Sequence, residues 1–196
     1  MPALPHSPIV ADKVSLRRQA RELRQAFVEA LSTEERGRLE DQLAEVLAPL
    51  LAKSRVVGGY APLPSEISPL PALAAAAAHG SQIAFPAFAD HHSPFRFLAG
   101  AAVEPGPWAV LQPALDAPHV FPDLVLVPLV AVDGQGNRLG QGKGHYDRAA
   151  IDLRQHGALL IGLGWAVQRL DTEIPADPWD LPLDGFASPD GLEMFR

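Results

Sequence analysis

Residues 123–148 set most of what this chain can become. An apolar run of strand length, 123–129, is broken by glycine and asparagine that cannot continue it, and from Tyr146 the residues favour helix. The order is strand, glycine loop, helix. Gly140, Gly142 and Gly144 alternate, so the backbone there can take positive φ and approach a ligand with no β-carbon in the way. Such a loop aims successive amides at one anion. The helix N-terminus behind it adds a partial positive charge to the full charges of Arg138, Lys143 and Arg148. The chemistry on offer is phosphate binding. Asp147 stands at the edge of the cluster, where a carboxylate suits a hard cation held beside phosphates.

Two familiar phosphate motifs fail on spacing. A dinucleotide fingerprint needs G-x-G-x-x-G in the first strand-to-helix turn, whereas these glycines read G-x-G-x-G and lie two-thirds of the way along. A Walker loop needs Ser or Thr after Gly-Lys, and Gly144 follows Lys143. A merely permissive surface turn would account for the glycines alone. It would not account for Arg138, Lys143, Tyr146, Asp147 and Arg148 gathered in the same short stretch.

The run RLGQGKGHYDR at 138–148, preceded by VPLVAVD at 127–133, resembles the signature of the 5-formyltetrahydrofolate cyclo-ligase (5,10-methenyltetrahydrofolate synthetase) family. That resemblance extends to other segments. Lys13-Val14-Ser15-Leu16-Arg17 is similar to the family's K-x-x-L-R, associated with ATP, although a solvated basic helix face is the plainer reading of those residues alone. By the same match Arg138, Leu139, Gly140, Gln141, Gly142, Lys143, Gly144, His145 and Tyr146 would bind ATP, with Lys143 and Arg148 acting on the transferring phosphoryl group. The stretch from Tyr60 through Ala61 to Glu66-Ile67 resembles the family's Y-x-x-x-x-x-E-[IV], whose acid contacts the folate pterin. A carboxylate suits the paired donors of a pterin edge. Ala61, Glu66, Trp108 and Tyr146 would then bind the folate, Trp108 from a W-x-x-x-Q-P loop in which Gln112 stands where many relatives carry Glu. In the closing segment the resemblance implies that Asp180 joins Asp147 in holding Mg2+, leaving Asp184 structural.

Composition bounds the rest. At 196 residues and 47% apolar the chain can bury a full core, and 12–196 is expected to form one domain after a disordered 1–11 segment. With no cysteine, thiolate chemistry and sulfur-bound zinc are excluded. The first ten residues fit neither a signal peptide nor a membrane anchor, so the cytoplasm is the expected compartment; a monomer is also expected. A net charge of −7 argues against nucleic acid as a partner and leaves a locally held small anion.

Along the chain, Leu16, Ala20, Leu23, Phe27 and Ala30 predict a helix over 12–31, capped by Asp12. Ser32-x-x-Glu35 predicts a capping box before a second helix with Leu39, Leu43, Val46, Leu47 and Leu50 inward. Strands are expected at 55–61, 82–88, 95–98, 123–129 and 158–164, and further helices at 70–79 and 147–156. His91 and His92 fall on an exposed turn, Trp108 and Leu111 call for burial, and the segment 164–184 reads, unaided, as an acidic tail. The fold class is α/β, with a mainly parallel sheet covered on both faces. The resemblance sharpens this to a three-layer αβα sandwich with NagB/RpiA/CoA-transferase-like topology. It implies ATP- and Mg2+-dependent cyclisation of 5-formyltetrahydrofolate. A phosphosugar isomerase or CoA-transferase relative would share the architecture but bind no ATP, and a non-catalytic nucleotide-binding or RNA-associated module would need the loop without a folate pocket.

Overall fold

The computed structural model describes residues 12–91, 93–177 and 180–195, with the side chain of Trp108 also outside the description. The segment 1–11, expected to be disordered, lies outside the described residues, as does His92. Helix α1 (Lys13–Glu29) starts where expected, the Asp12 carboxylate accepting from the Val14 N–H at 2.8 Å. Helix α2 (Thr33–Leu51) carries the reciprocal capping box of Ser32 and Glu35. There follow β1 (Val56–Gly58), α3 (Leu70–Ala78), β2 (Gln82–Ala87), β3 (Arg96–Ala99) and a ribbon of β4 (Glu104–Pro105) with β5 (Leu111–Gln112). Then come β6 (Leu124–Pro128), a second ribbon of β7 (Ala131–Val132) with β8 (Arg138–Leu139), and α4 (His145–Gln155). The chain closes with β9 (Leu159–Leu163), β10 (Gly185–Ser188) and β11 (Gly191–Met194).

The seven-stranded sheet runs β11-β10-β9-β6-β1-β2-β3, parallel from β10 to β2 and antiparallel at both edges. Side chains alternate across it. Leu124 and Leu126 of β6 join Leu43, Leu47, Leu51 and Leu73 from α2 and α3 in one core, while Val125 and Val127 join Ala149, Ala150 and Leu153 of α4 in the other. Helices on both faces make the expected three-layer α/β sandwich. A third, smaller core packs Leu16 and Ala20 of α1 against Val130, Ala131, Leu139 and Ile174, which seats the start of α1 over the second ribbon.

Three expectations need correction. In α1 the buried stripe is Leu16, Ala20 and Arg24, spaced by four, while Leu23 is 55% exposed and Ala30 is also exposed. The apolar stem of Arg24 takes the inward position because its guanidinium finds the Leu129 carbonyl there, 3.2 Å away. In the 104–113 loop Leu111 is exposed and Gln112 is buried, its amide accepting from the Phe88 N–H and donating to the Phe88 carbonyl. Finally, no strand was expected after 164, yet β10 and β11 lie at 185–194. All four β10 residues are buried and lack alternation, and Gly185 passes so close to β11 that a β-carbon would sit 2.8 Å from the Glu193 carbonyl oxygen. Among the described residues no helix is long and apolar enough to cross a membrane.

Candidate functional site

Tyr60 and Ala61 follow β1, Phe88 follows β2 and Leu129 follows β6, so the carboxyl ends of three parallel strands open onto one edge. That is where open α/β sheets gather ligands. A cavity of about 320 Å³ lies there. Lys13, Arg17, Ala61, Glu66, Arg138, residues 140–147 and Asp180 all line it.

The glycine loop forms one wall. Gly142 (φ 92°) and Gly144 (φ 65°) take the left-handed conformation, and Gly144 is the N-cap of α4, directing that helix's amino end to the loop. α1 pins the loop from the side: Arg17 donates to the Gly140 carbonyl at 3.2 Å, and Arg21 donates to the carbonyl and side-chain oxygen of Gln141 at 3.2 and 2.8 Å. Arg21, which braces the glycine loop without lining the cavity, is a residue that sequence reasoning missed. Leu16 and Leu139 sit in the small core underneath, and Val14 and Ser15 do not line the cavity. Arg148 stays outside the lining as well, donating to the Lys143 carbonyl at 3.0 Å and to Nδ1 of His145 at 2.9 Å.

Opposite charges meet across the mouth. Lys13 Nζ lies 2.5 Å from carboxylate oxygens of both Asp177 and Asp180, and Arg138 pairs with Asp147 at 2.6 Å. Burial pulls the Lys13 ammonium down, but the two aspartates outweigh it and the net shift is upward. For Asp180, burial pushes up and is overcome by Lys13 and the Asp177 N–H, leaving the carboxyl below its usual range. Asp177 was not singled out from sequence. As oxygen donors, Asp147 and Asp180 fit a magnesium ion that shares its coordination with phosphate. Among the described residues no three His, Asp or Glu side chains are grouped so as to hold a metal ion by themselves.

The far wall is aromatic and carries one acid. Phe95 packs edge-on against Tyr146 at 5.1 Å, and Phe88 against His145 at 4.9 Å. The Tyr146 ring is only half-buried, yet its hydroxyl is at the interior end, shielded and without a hydrogen-bond partner. Burial and the nearby Glu66 charge push that phenol's pKa up, so it is a donor in need of an acceptor. Glu66, 6% exposed, accepts from the Leu63 N–H at 3.0 Å and from the Gln141 side chain at 3.1 Å. Its loop is fixed from outside by Tyr60 donating to the Ile67 carbonyl, Trp165 to Ser65, and Arg36 to Pro64 and Glu66. The Trp108 ring expected on this wall lies outside the described residues.

His145 joins the two walls. Arginine can only donate, so the bond from Arg148 makes Nδ1 an acceptor and the ring neutral. Burial first, then the charges of Arg148 and Lys143, lower its pKa from 6.5. The unfolded chain therefore binds the proton more readily, and this group's contribution to stability falls as pH drops below 6.5. The His145 ring resonances are expected to titrate with a midpoint below 6.5 in an NMR pH series. A midpoint at or above that value would contradict the neutral assignment.

The model of the 5-formyltetrahydrofolate cyclo-ligase family matches residues 9–189. The 5-formyltetrahydrofolate cyclo-ligase of Haemophilus influenzae is 33% identical over 101 residues, 49% of this chain and 54% of that protein. The Escherichia coli K12 protein of the same name is 34% identical over 82 residues, covering 40% of this chain and 44% of its own length. The chain thus spans about half the length of the curated relatives it matches. The solution structure of Aquifex aeolicus 5,10-methenyltetrahydrofolate synthetase superposes with a TM-score of 0.77 at 26% identity, over 94% of this chain and 93% of that one. The Mycoplasma pneumoniae 5,10-methenyltetrahydrofolate synthetase gives 0.70 at 24% identity, over 91% and 99%, a likeness of fold alone. With the family's model matched across nearly all of a chain whose glycine loop and strand-end acid share one cavity, this protein belongs to the 5-formyltetrahydrofolate cyclo-ligase family.

Proposed function

We propose that this protein couples ATP cleavage to closure of 5-formyltetrahydrofolate into 5,10-methenyltetrahydrofolate, releasing ADP and phosphate. The observation that carries this reading is the single cavity in which a cationic glycine loop faces a buried acid set beside aromatic rings. One end suits a triphosphate and the other a flat heterocycle with paired donors.

A formamide oxygen is a poor leaving group. Its attack on the γ-phosphorus expels ADP and leaves that oxygen phosphorylated; the neighbouring exocyclic nitrogen then adds to the formyl carbon, loses its proton, and phosphate departs with the ring closed. The protein's part is positioning and charge neutralisation. Loop amides 140–144 and the start of α4 hold the phosphates. Lys143 offers its ammonium from the cavity wall, with Arg148 bonded to its carbonyl behind. Lys13 and Arg17 close the nucleotide side from α1, Glu66 and the Tyr146 hydroxyl take up the pterin's donors and acceptors, and Ala61 leaves room for the ring. Asp147 and Asp180 would hold magnesium, which when bound neutralises charge on the phosphates.

Mixing the protein with ATP, magnesium and 5-formyltetrahydrofolate and following the methenyl product's absorbance tests the reading. Product requires all three components, and ATP turnover indifferent to folate would refute it. Asp180→Asn is expected to raise the magnesium concentration for half-maximal rate by on the order of tenfold or more, with a smaller change in folate KM. Turnover unaffected by a chelator would remove the metal assignment.

A further inference from the structure

On α1, position 24 is where an apolar residue would complete the inward stripe begun by Leu16 and Ala20, yet it holds an arginine that is 4% exposed. Retaining a charge there costs stability unless it is compensated, and its Nε has no hydrogen-bond partner. What the guanidinium does reach is informative. Nη1 donates to the Leu129 carbonyl at 3.2 Å and lies 3.8 Å from Oε1 of Glu66. That same Oε1 accepts from Gln141 of the glycine loop, and Glu66 is itself nine-tenths buried. Arg24 is not among the residues that line the cavity, whereas Glu66 is.

We infer that Arg24 is a positioning residue for folate recognition, the buried counter-charge that holds the Glu66 carboxylate in place at the cavity wall. The inference rests on the proposed function, since it assigns Glu66 to the pterin. Its logic is electrostatic. A buried carboxylate without a counter-charge is costly, and a guanidinium held beside it offsets that cost while fixing where its oxygens point. Arg24 supplies the charge from the protein side, leaving the outer lone pairs of Glu66 for the ligand. Nucleotide contacts from the same helix, at Lys13 and Arg17, lie at least seven residues earlier and are untouched by the substitution.

Calorimetry with 5-formyltetrahydrofolate and, separately, a non-hydrolysable ATP analogue tests this on four proteins beside the wild type: Arg24→Met, Arg24→Lys, Glu66→Gln and the pair Arg24→Met with Glu66→Gln. Arg24→Met is expected to weaken folate binding by about tenfold or more, the loss of a charged hydrogen-bonding group, with a parallel rise in folate KM. Affinity for the ATP analogue should stay within about twofold. Arg24→Lys should recover part of the loss. The paired variant, which leaves no uncompensated buried charge and so folds if Arg24→Met does not, should bind folate no more weakly than Glu66→Gln alone. Wild-type folate affinity in a folded Arg24→Met protein, equal loss for both ligands, or a full further loss in the pair would each overturn the inference. No folate binding by the wild type would instead overturn the proposed function, and this inference with it.

Discussion

Asp133→Ala is expected to lower the unfolding free energy by about 3–5 kcal/mol, the range for breaking a buried charged hydrogen-bond network. Asp133 is 1% exposed, and its two oxygens accept four hydrogen bonds: from the N–H groups of Gln135 and Asn137, the Asn137 amide, and the N–H of Ile174. The first three shape the turn between β7 and β8. The fourth, at 2.8 Å, ties that turn to a segment 41 positions later. Removing the carboxylate strands the buried Ile174 N–H, which no water can reach cheaply. Asp133→Asn should recover less than half, because one amide end would point a donor at donors. Urea unfolding with an unchanged m-value is the measurement. A loss below about 1 kcal/mol would mean the four bonds are replaceable. The site depends on this knot, since the turn leads into Arg138 and the glycine loop while Ile174 leads to Asp177 and Asp180.

Asp133 also marks where the sequence was legible and where it was not. Asp-Gly-Gln-Gly-Asn between two apolar stretches is a hairpin signal, so the β7–β8 turn could have been found from turn chemistry. Its bond to Ile174 could not, because a backbone partner leaves no trace in residue type. The same holds for Arg21 and Arg24, whose acceptors include carbonyls of Gln141 and Leu129 more than a hundred positions away. The loop glycines were legible from their own alternation, whereas Lys13, Arg17, Glu66 and Asp180, which line the same cavity, were singled out only through the family resemblance. The two long amphipathic helices were legible because periodicity survives without tertiary context, and β6 because an uninterrupted apolar run of strand length does too. Strands β10 and β11 were not, being four residues each, with β10 built of small buried residues that leave no pattern to read.

Lys143→Ala is expected to cost about 2.7–4 kcal/mol in the chemical step, by analogy with losing one preorganised donor at a developing charge. Lys143 sits between two glycines in left-handed conformation and lines the cavity, while Arg148 holds its backbone carbonyl at 3.0 Å. That bond fixes the main chain at the residue whose ammonium must reach the phosphoryl group. Were Lys143 only a solvent-pointing side chain, its removal would shift neither rate nor stability beyond about 0.5 kcal/mol. Folding should be spared in either case, since the residue is exposed and its backbone partner is retained. Lys143→Arg separates geometry from charge: a planar fork in a glycine-lined slot does not place its nitrogens where one ammonium sat, so partial rescue is the most that is expected. Single-turnover product formation at saturating ATP isolates chemistry from nucleotide binding. A wild-type single-turnover rate in Lys143→Ala would refute the role and leave the loop amides, the α4 N-terminus and the magnesium proposed at Asp147 and Asp180 to carry the phosphate charge.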